Sequence, residues 1–128
     1  MKIVVLDGYI LNPGDLTWEP LERFGDLTVY DRTVYDNSND DLIIERIGDA
    51  EIVFTNKTPL SENVFKNAPK LKFLGVLATG YNVVDVDAAG KLGITITNIP
   101  GYGTRSVAQM AVALLLELTN HVWVHNEA

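Results

Sequence analysis

The 128-residue sequence predicts an α/β domain in which helices cover both faces of a parallel, five-stranded sheet. Two patterns predict this class. Short runs rich in β-branched residues recur along the chain, and amphipathic segments separate each run from the next. The first, third and fourth runs are apolar at nearly every position, which is typical of parallel strands buried on both faces.

Five strands are expected, in order, at residues 3–6, 27–30, 52–54, 73–77 and 94–97. The segments between them predict helices at residues 18–24, 40–47, 62–67 and 86–92. Gly25, Gly48 and Gly93 each follow one of these helices, where a residue with a left-handed backbone commonly ends a helix. Since strict alternation of strand and helix requires right-handed crossovers, the simplest arrangement is a doubly wound sheet in the flavodoxin-like order 2-1-3-4-5.

Residues 101–128 differ in character from residues 1–100, which we assign to the sheet domain. One Pro and two Gly within residues 98–103 predict a hinge. Ser106 and Gln109 form a capping-box pattern, so a helix is expected from there to about His121. Ten of the twelve residues from 107 to 118 are apolar and surround this helix. Because one sheet cannot cover it, a second domain or subunit is expected to do so.

Composition excludes several classes of function. The formal net charge is -7, and acidic residues such as Asp7, Asp15 and Asp85 are spread along the chain, which we interpret as ordinary solubilising charge. A negative surface without a basic patch predicts neither a nucleic-acid nor a membrane partner. The chain has no Cys, and its first apolar run is too short for a signal peptide, so a cytoplasmic location is expected.

Ligands of open parallel sheets bind beyond the carboxyl ends of the strands, here the loops at residues 7–13, 55–59 and 78–82. Thr79 and Gly80 are the most informative pair, because a Gly lets adjacent N–H groups converge on an oxygen anion. The alternative is a plain turn, with Asn82 or Asp85 capping the next helix. Asn56 and Lys57 offer an amide and a positive charge suited to a small carboxylate, although an isolated Lys is commonly a surface residue.

Two further motifs favour structural interpretations. Residues 101–106 imitate a dinucleotide-binding loop, but Ser106 stands where the third Gly is required, so the hinge interpretation is better. His121 and His125 lie four residues apart, with Glu117 one turn earlier, and could form a metal ridge. A solvated helix end explains them more simply, and neither has an obvious nucleophile as a partner. We therefore predict no metal site in this chain.

Several segments together resemble the D-isomer-specific 2-hydroxyacid dehydrogenases, and among them the bacterial glycerate dehydrogenase (hydroxypyruvate reductase) group. The matching segments are residues 1–8 (MKIVVLDG), 12–16 (NPGDL), 27–33 (LTVYDRT), 55–60 (TNKTPL), 77–85 (LATGYNVVD), 106–109 (SVAQ) and 113–121 (ALLLELTNH). In this family the chain begins in a substrate-binding domain and crosses through a long helix into a Rossmann coenzyme domain. The resemblance thus implies a substrate domain at residues 1–100, and at residues 101–128 a hinge and an interdomain helix.

The resemblance also implies roles for particular residues. Those implied at the substrate are Ala78, Thr79, Gly80, Asn56 and Lys57. Those implied near the nicotinamide of NAD or NADP are Thr79, Thr104 and Val107. The backbone amides of Thr79 and Gly80 are expected to face the substrate carboxylate, whereas the family varies at Asn56 and Lys57.

The implied chemistry is hydride transfer from NADH or NADPH to a small 2-oxoacid such as hydroxypyruvate or glyoxylate. The Arg that polarises the carbonyl, the His that donates the proton and most of the cofactor site belong to later sequence, and Arg105, His121 and His125 do not match them. This chain alone is therefore expected to be inactive.

Two other classes of function were weighed. A receiver-like signalling module has the same strand order, but it requires an Asp after the third strand and a Lys after the fifth, where this chain has Asn56 and Asn98. A free-standing binding or regulatory module that dimerises through residues 106–121 stays open. For the chain itself, a homodimer is expected, and exchange of this helix between subunits is one way to form it.

Overall fold

The computed structural model describes residues 1–36 and 38–127, and its centre is one parallel sheet. The strands are β1 (Lys2–Val5), β2 (Asp26–Val29), β3 (Ile52–Thr55), β4 (Phe73–Val76) and β5 (Thr95–Thr97). All neighbouring strands pair in parallel, in the order β2-β1-β3-β4-β5. The predicted α/β class and the flavodoxin-like strand order are confirmed.

Seven helices are found in the described part of the chain. They are α1 (Gly8–Leu11), α2 (Glu19–Glu22), α3 (Asp40–Ile47), α4 (Glu62–Lys66), α5 (Val86–Lys91), α6 (Thr104–Asn120) and α7 (Val122–Glu127). Asn39, Ser61 and Asp85 begin α3, α4 and α5, and the side chain of each accepts a hydrogen bond from a backbone N–H in the first turn. The single turn α1 and the terminal helix α7 lie outside the predicted set.

The core lies mainly on the face of β1, β3 and β4 that α3, α4 and α5 cover side by side, and Ile3 and Val5 are buried on the opposite face of β1. Its largest fully buried apolar side chains are Ile3, Leu6, Ile43, Ile47, Leu60, Leu74, Val5, Val53, Val64 and Val76. Burial of each contributes about 1.5–3 kcal/mol. At one point the core requires a glycine, since a Cβ on Gly75 would lie 2.4 Å from Cδ1 of Phe54.

The three glycines after the predicted helices have different roles. Gly48 and Gly93 have positive φ angles of 52° and 72°, which favour glycine after α3 and α5 as expected, although the ψ angle of -120° places Gly48 outside the left-handed helical region. The expectation for Gly25 is wrong, since its φ angle is not positive. A Cβ on Gly25 would lie 2.1 Å from the carbonyl oxygen of Met1. Close approach of the first residue, rather than backbone handedness, therefore requires this glycine.

The long helix α6 begins two residues earlier than predicted. Gly103 stands at its N-terminus, and the amide of Val107 donates to the Gly103 carbonyl at 2.9 Å. This places Ser106 inside the first turn, so the predicted capping box is wrong. The helix ends as expected near His121, which has a left-handed backbone with φ 49°.

No residue of α6 is buried, and the apolar side chains of Val107 and Leu118 are 69% and 74% exposed. The described residues therefore leave α6 uncovered, as its sequence predicts. Within the described ranges, no helix combines the length and the apolar character required to cross a bilayer.

Candidate functional site

A cleft of about 740 Å³ lies between the carboxyl ends of β3 and β4 and the first turns of α6. Its lining residues are Asn56, Lys57, Ala78, Thr79, Gly80, Tyr102, Gly103, Thr104, Val107, Ala108 and Ala111. All seven residues that the sequence analysis names for substrate or cofactor line this one cleft, although they come from three separate segments. The topology explains this, because the carboxyl ends of neighbouring parallel strands meet at one edge of a sheet.

The loop after β4 is held by the segment that leads into the hinge. The amide of Ile99 donates to the carbonyl of Ala78 at 3.0 Å. The Thr79 hydroxyl donates to the carbonyl of Ile99 at 3.1 Å, and the Asn98 side-chain amide donates to the carbonyl of Thr79 at 2.9 Å. The hydroxyl and carbonyl of Thr79 are therefore already paired within the protein.

The backbone N–H groups of Thr79 and Gly80 are different. Neither donates a hydrogen bond to any acceptor in the described part of the chain, and both residues are exposed to solvent. Two adjacent free N–H groups at the end of a buried strand form a small donor site for an oxygen anion. The side chain of Asp85 caps α5, as the alternative interpretation of this turn predicts. This cap binds the amide of Ala88 and leaves the amides of Thr79 and Gly80 free.

The loop after β3 forms the opposite wall. The side-chain amide of Asn56 donates to the carbonyl of Leu77 at 3.0 Å, so this residue ties the two loops together. Lys57 is exposed, and its ammonium group forms no salt bridge with a carboxylate of residues 1–36 or 38–127. It is the only charged side chain in the lining, which gives the cleft a positive charge.

Asp7 is the residue that the sequence analysis misjudged. Its interpretation as solubilising charge is wrong, because it is 0% exposed. Its carboxylate accepts hydrogen bonds from the backbone amides of Asn56 at 2.8 Å and Thr58 at 2.9 Å, and also from that of Lys57. An acid that directly follows an all-apolar strand is itself a signal of burial at the carboxyl edge of the sheet.

The arrangement suits a small carboxylate beside an apolar group. Lys57 and the free amides offer positive charge and hydrogen-bond donors, whereas Val107, Ala108 and Ala111 form an apolar wall. Among residues 1–36 and 38–127, no Asp, Glu or His lines the cleft. The carboxylates with a displaced pKa lie elsewhere: Asp49, for example, pairs with Lys2 at the amino end of β1, and the hydrogen bond from Lys2 lowers the pKa of Asp49.

The two histidines lie far from this cleft. Helix α6 has 17 residues, so it is about 25 Å long, and His121 follows its far end. His121 breaks the helix before α7 begins, so His121 and His125 do not share one continuous helical face. Among the described residues no group of three His, Cys, Asp or Glu side chains could hold a metal ion.

A parallel sheet in this order, with a cleft lined by Lys57 at its carboxyl edge, defines an α/β domain with a candidate ligand site. The chain belongs to the D-isomer specific 2-hydroxyacid dehydrogenases, since the model of that family's catalytic domain matches residues 4–128. This confirms the resemblance noted in the sequence.

Individual relatives agree with the family assignment. The chain is 59% identical over 127 residues to a hydroxypyruvate reductase of Blautia hydrogenotrophica, covering 99% of this chain and 39% of the relative. It is 42% identical over 76 residues to a glycerate dehydrogenase of Methylorubrum extorquens, covering 59% of this chain and 24% of that protein. The chain thus spans well under half the length of these relatives.

A solved structure also shares the fold. An acyclic imino acid reductase in complex with NADPH and D-Arg matches with a TM-score of 0.79 and 25% identity, and the match covers 99% of this chain and 40% of the reductase. The match extends through α6, since it takes in nearly every residue of this chain.

Proposed function

We propose that this chain forms the substrate-binding part of an enzyme that reduces hydroxypyruvate or glyoxylate to the D-2-hydroxyacid with NADH or NADPH. Residues 1–100 form the substrate domain, and residues 101–128 form the hinge and the helix that leads toward a coenzyme domain. The observation that carries the proposal is the pair of free backbone amides at Thr79 and Gly80, two residues that line a cleft in which Lys57 is the one charged side chain among the described residues.

The free amides explain how a 2-oxoacid would be oriented. A carboxylate has two oxygens, and each can accept from one N–H of Thr79 or Gly80. Such bonds to an ionised group are stronger than neutral ones. Lys57, on the opposite wall, adds an attraction that draws the anion into the cleft.

The cleft also fits one end of the proposed cofactor. Thr104, Val107 and Ala111 lie on consecutive turns of α6 and give a small-residue wall against which a flat nicotinamide ring can pack. When bound, the nicotinamide supplies a hydride to the substrate carbonyl. No second cation lines the cleft among the described residues. The turn between β5 and α6 has Gly101 and Gly103 but carries Ser106 in place of the third Gly of a dinucleotide-binding loop, so we assign the rest of the cofactor to a separate domain.

The residues that line the cleft also support the proposal that this chain alone cannot reduce a 2-oxoacid. Reduction of a carbonyl requires a proton donor within hydrogen-bond reach and a group that polarises the carbonyl oxygen. Of the described lining residues only Lys57 and Tyr102 carry a titratable side chain, and His121 lies ten residues, about 15 Å of helix, beyond Ala111, the last residue of α6 in the lining. We propose that the proton donor and the polarising Arg come from the coenzyme domain when the two domains close.

A chimera tests whether this chain binds the substrate while a separate coenzyme domain supplies the catalytic residues. Residues 1–127 of this chain replace the matching segment of the Blautia hydrogenotrophica hydroxypyruvate reductase, and NADH oxidation is followed with hydroxypyruvate and with glyoxylate. We expect no turnover by the 128-residue chain alone and turnover by the chimera. Turnover by the chain alone would refute the division, as would a folded, cofactor-binding chimera that reduces neither acid.

One observation keeps a second candidate open. The uncovered apolar surface of α6 would also suit a free-standing regulatory module that dimerises through this helix. The two proposals predict different behaviour of the chimera. If the coenzyme domain covers α6, the chimera should not associate through that helix. A chimera that still associates through α6 would favour the regulatory module.

A further inference from the structure

We infer that Asp7 is a positioning residue, whose buried carboxylate sets the turn at residues 56–58 against the cleft. This inference rests on the proposed function, since it concerns how the wall that carries Lys57 is placed for a 2-oxoacid. Asp7 does not line the cleft, and it acts through the backbone of residues that do.

The turn depends on a single acceptor group. Three consecutive amides, those of Asn56, Lys57 and Thr58, converge on the two oxygens of Asp7. A buried carboxylate is costly unless donors surround it, and these donors would lose their partners if the carboxylate were absent. Acid and turn therefore stabilise each other and fix the backbone of the turn.

The anchored turn also sets the width of the cleft. The backbone amide of Asn56 donates to Asp7, and the side-chain amide of Asn56 donates to the carbonyl of Leu77. Leu77 directly precedes the loop that carries Thr79 and Gly80. Asp7 thereby connects the wall that bears the cation to the wall that bears the free amides. A shift of about 1 Å in a positioning group can cost up to about a hundredfold in rate or binding.

The sign of the effect separates positioning from simple electrostatics. The negative charge of Asp7 beneath Lys57 opposes the binding of an anion. If charge were its whole effect, Asp7→Asn would tighten the binding of a 2-oxoacid. If the carboxylate positions the turn, the same substitution weakens binding, because Asn keeps one neutral acceptor oxygen for the three amides and presents an NH2 donor in place of the other oxygen.

The test uses the full 128-residue chain labelled with ¹⁵N, as wild type, Asp7→Asn and Asp7→Glu. The control is Ile47→Ala, which removes a buried side chain (2% exposed) at the amino edge of the sheet, away from the cleft. Amide hydrogen exchange is measured at residues 56–58. Hydroxypyruvate is titrated while the amide shifts of Thr79 and Gly80 are followed.

We expect Asp7→Asn to lose protection at residues 56–58 and to bind hydroxypyruvate at least about tenfold more weakly than the wild type and the Ile47→Ala control. Asp7→Glu retains the charge but displaces it by one methylene, so we expect an intermediate loss, and it decides the matter if Asp7→Asn does not fold. Equal or tighter binding, or unchanged protection, would overturn the inference. If the wild type shows no shift at Thr79 and Gly80, the proposed function fails, and exchange at residues 56–58 alone then decides the role of Asp7 in the turn.

Discussion

The exposed face of α6 makes a quantitative prediction about association. Met110, Leu114 and Leu118 lie one helical turn apart and are 59%, 57% and 74% exposed. Full burial of such a side chain contributes about 1.5–3 kcal/mol, so covering what is still exposed gives about 1–2 kcal/mol each. Replacing all three by Gln therefore removes about 3–6 kcal/mol per helix. Self-association of the chain should weaken by at least about a hundredfold.

Sedimentation equilibrium of the 128-residue chain over a range of concentrations measures this effect. We expect the wild type to associate and the triple variant to be monomeric at the same concentrations. The control is Phe24→Gln, since Phe24 is 66% exposed but lies outside α6 and should leave the mass unchanged. A wild type that is monomeric at high concentration, or a triple variant that associates as strongly as the wild type, would refute the reasoning.

Three further predictions concern the sheet, its amino edge and the cleft. Gly75→Ala should lower the free energy of unfolding by about 1–3 kcal/mol, because the added Cβ would lie 2.4 Å from Phe54. The control Gly90→Ala, in α5, adds a Cβ that meets nothing within 4 Å and should raise the free energy of unfolding by about 0.5–1 kcal/mol. Urea denaturation of both variants measures these changes. The pKa of Asp49 is held below its usual 3.8 by lysine hydrogen bonds. Its stabilisation is therefore present above that value and lost as pH falls below it, so the urea midpoint should drop below about pH 4 and drop less in Asp49→Asn. In the chimera, Lys57→Met should raise KM for hydroxypyruvate about tenfold, with Lys57→Arg near the parent value; equal KM values would contradict a role for the charge.

The sheet could be predicted because its signal is local and redundant. Runs such as Ile3–Leu6 are apolar throughout, and each is followed by an amphipathic segment, so both the strands and their parallel pairing follow from periodicity. Once the order is known, topology alone brings Thr79, Lys57 and Thr104 to one edge. The cleft was therefore predictable to the extent that the strand ends were.

What could not be predicted depends on contacts distant in sequence. The position of Asp7 after an all-apolar strand indicates burial, but it does not identify the amides about fifty residues away from which Asp7 accepts hydrogen bonds. The same holds for Gly25, which is required by the first residue rather than by its own helix. Helix α6 begins before the predicted residue because the carbonyl of Gly103 already accepts the first helical hydrogen bond. Ser106 therefore lies within the helix and cannot cap its N-terminus.

The central claim is that the amides of Thr79 and Gly80 bind the carboxylate of a 2-oxoacid. A crystal structure of the chimera with a nicotinamide cofactor and oxamate, an unreactive 2-oxoacid analogue, tests it most directly. We predict the oxamate carboxylate within about 2.7–3.2 Å of both amide nitrogens. A carboxylate bound elsewhere in a closed cleft, with these two N–H groups turned away from it, would contradict the account.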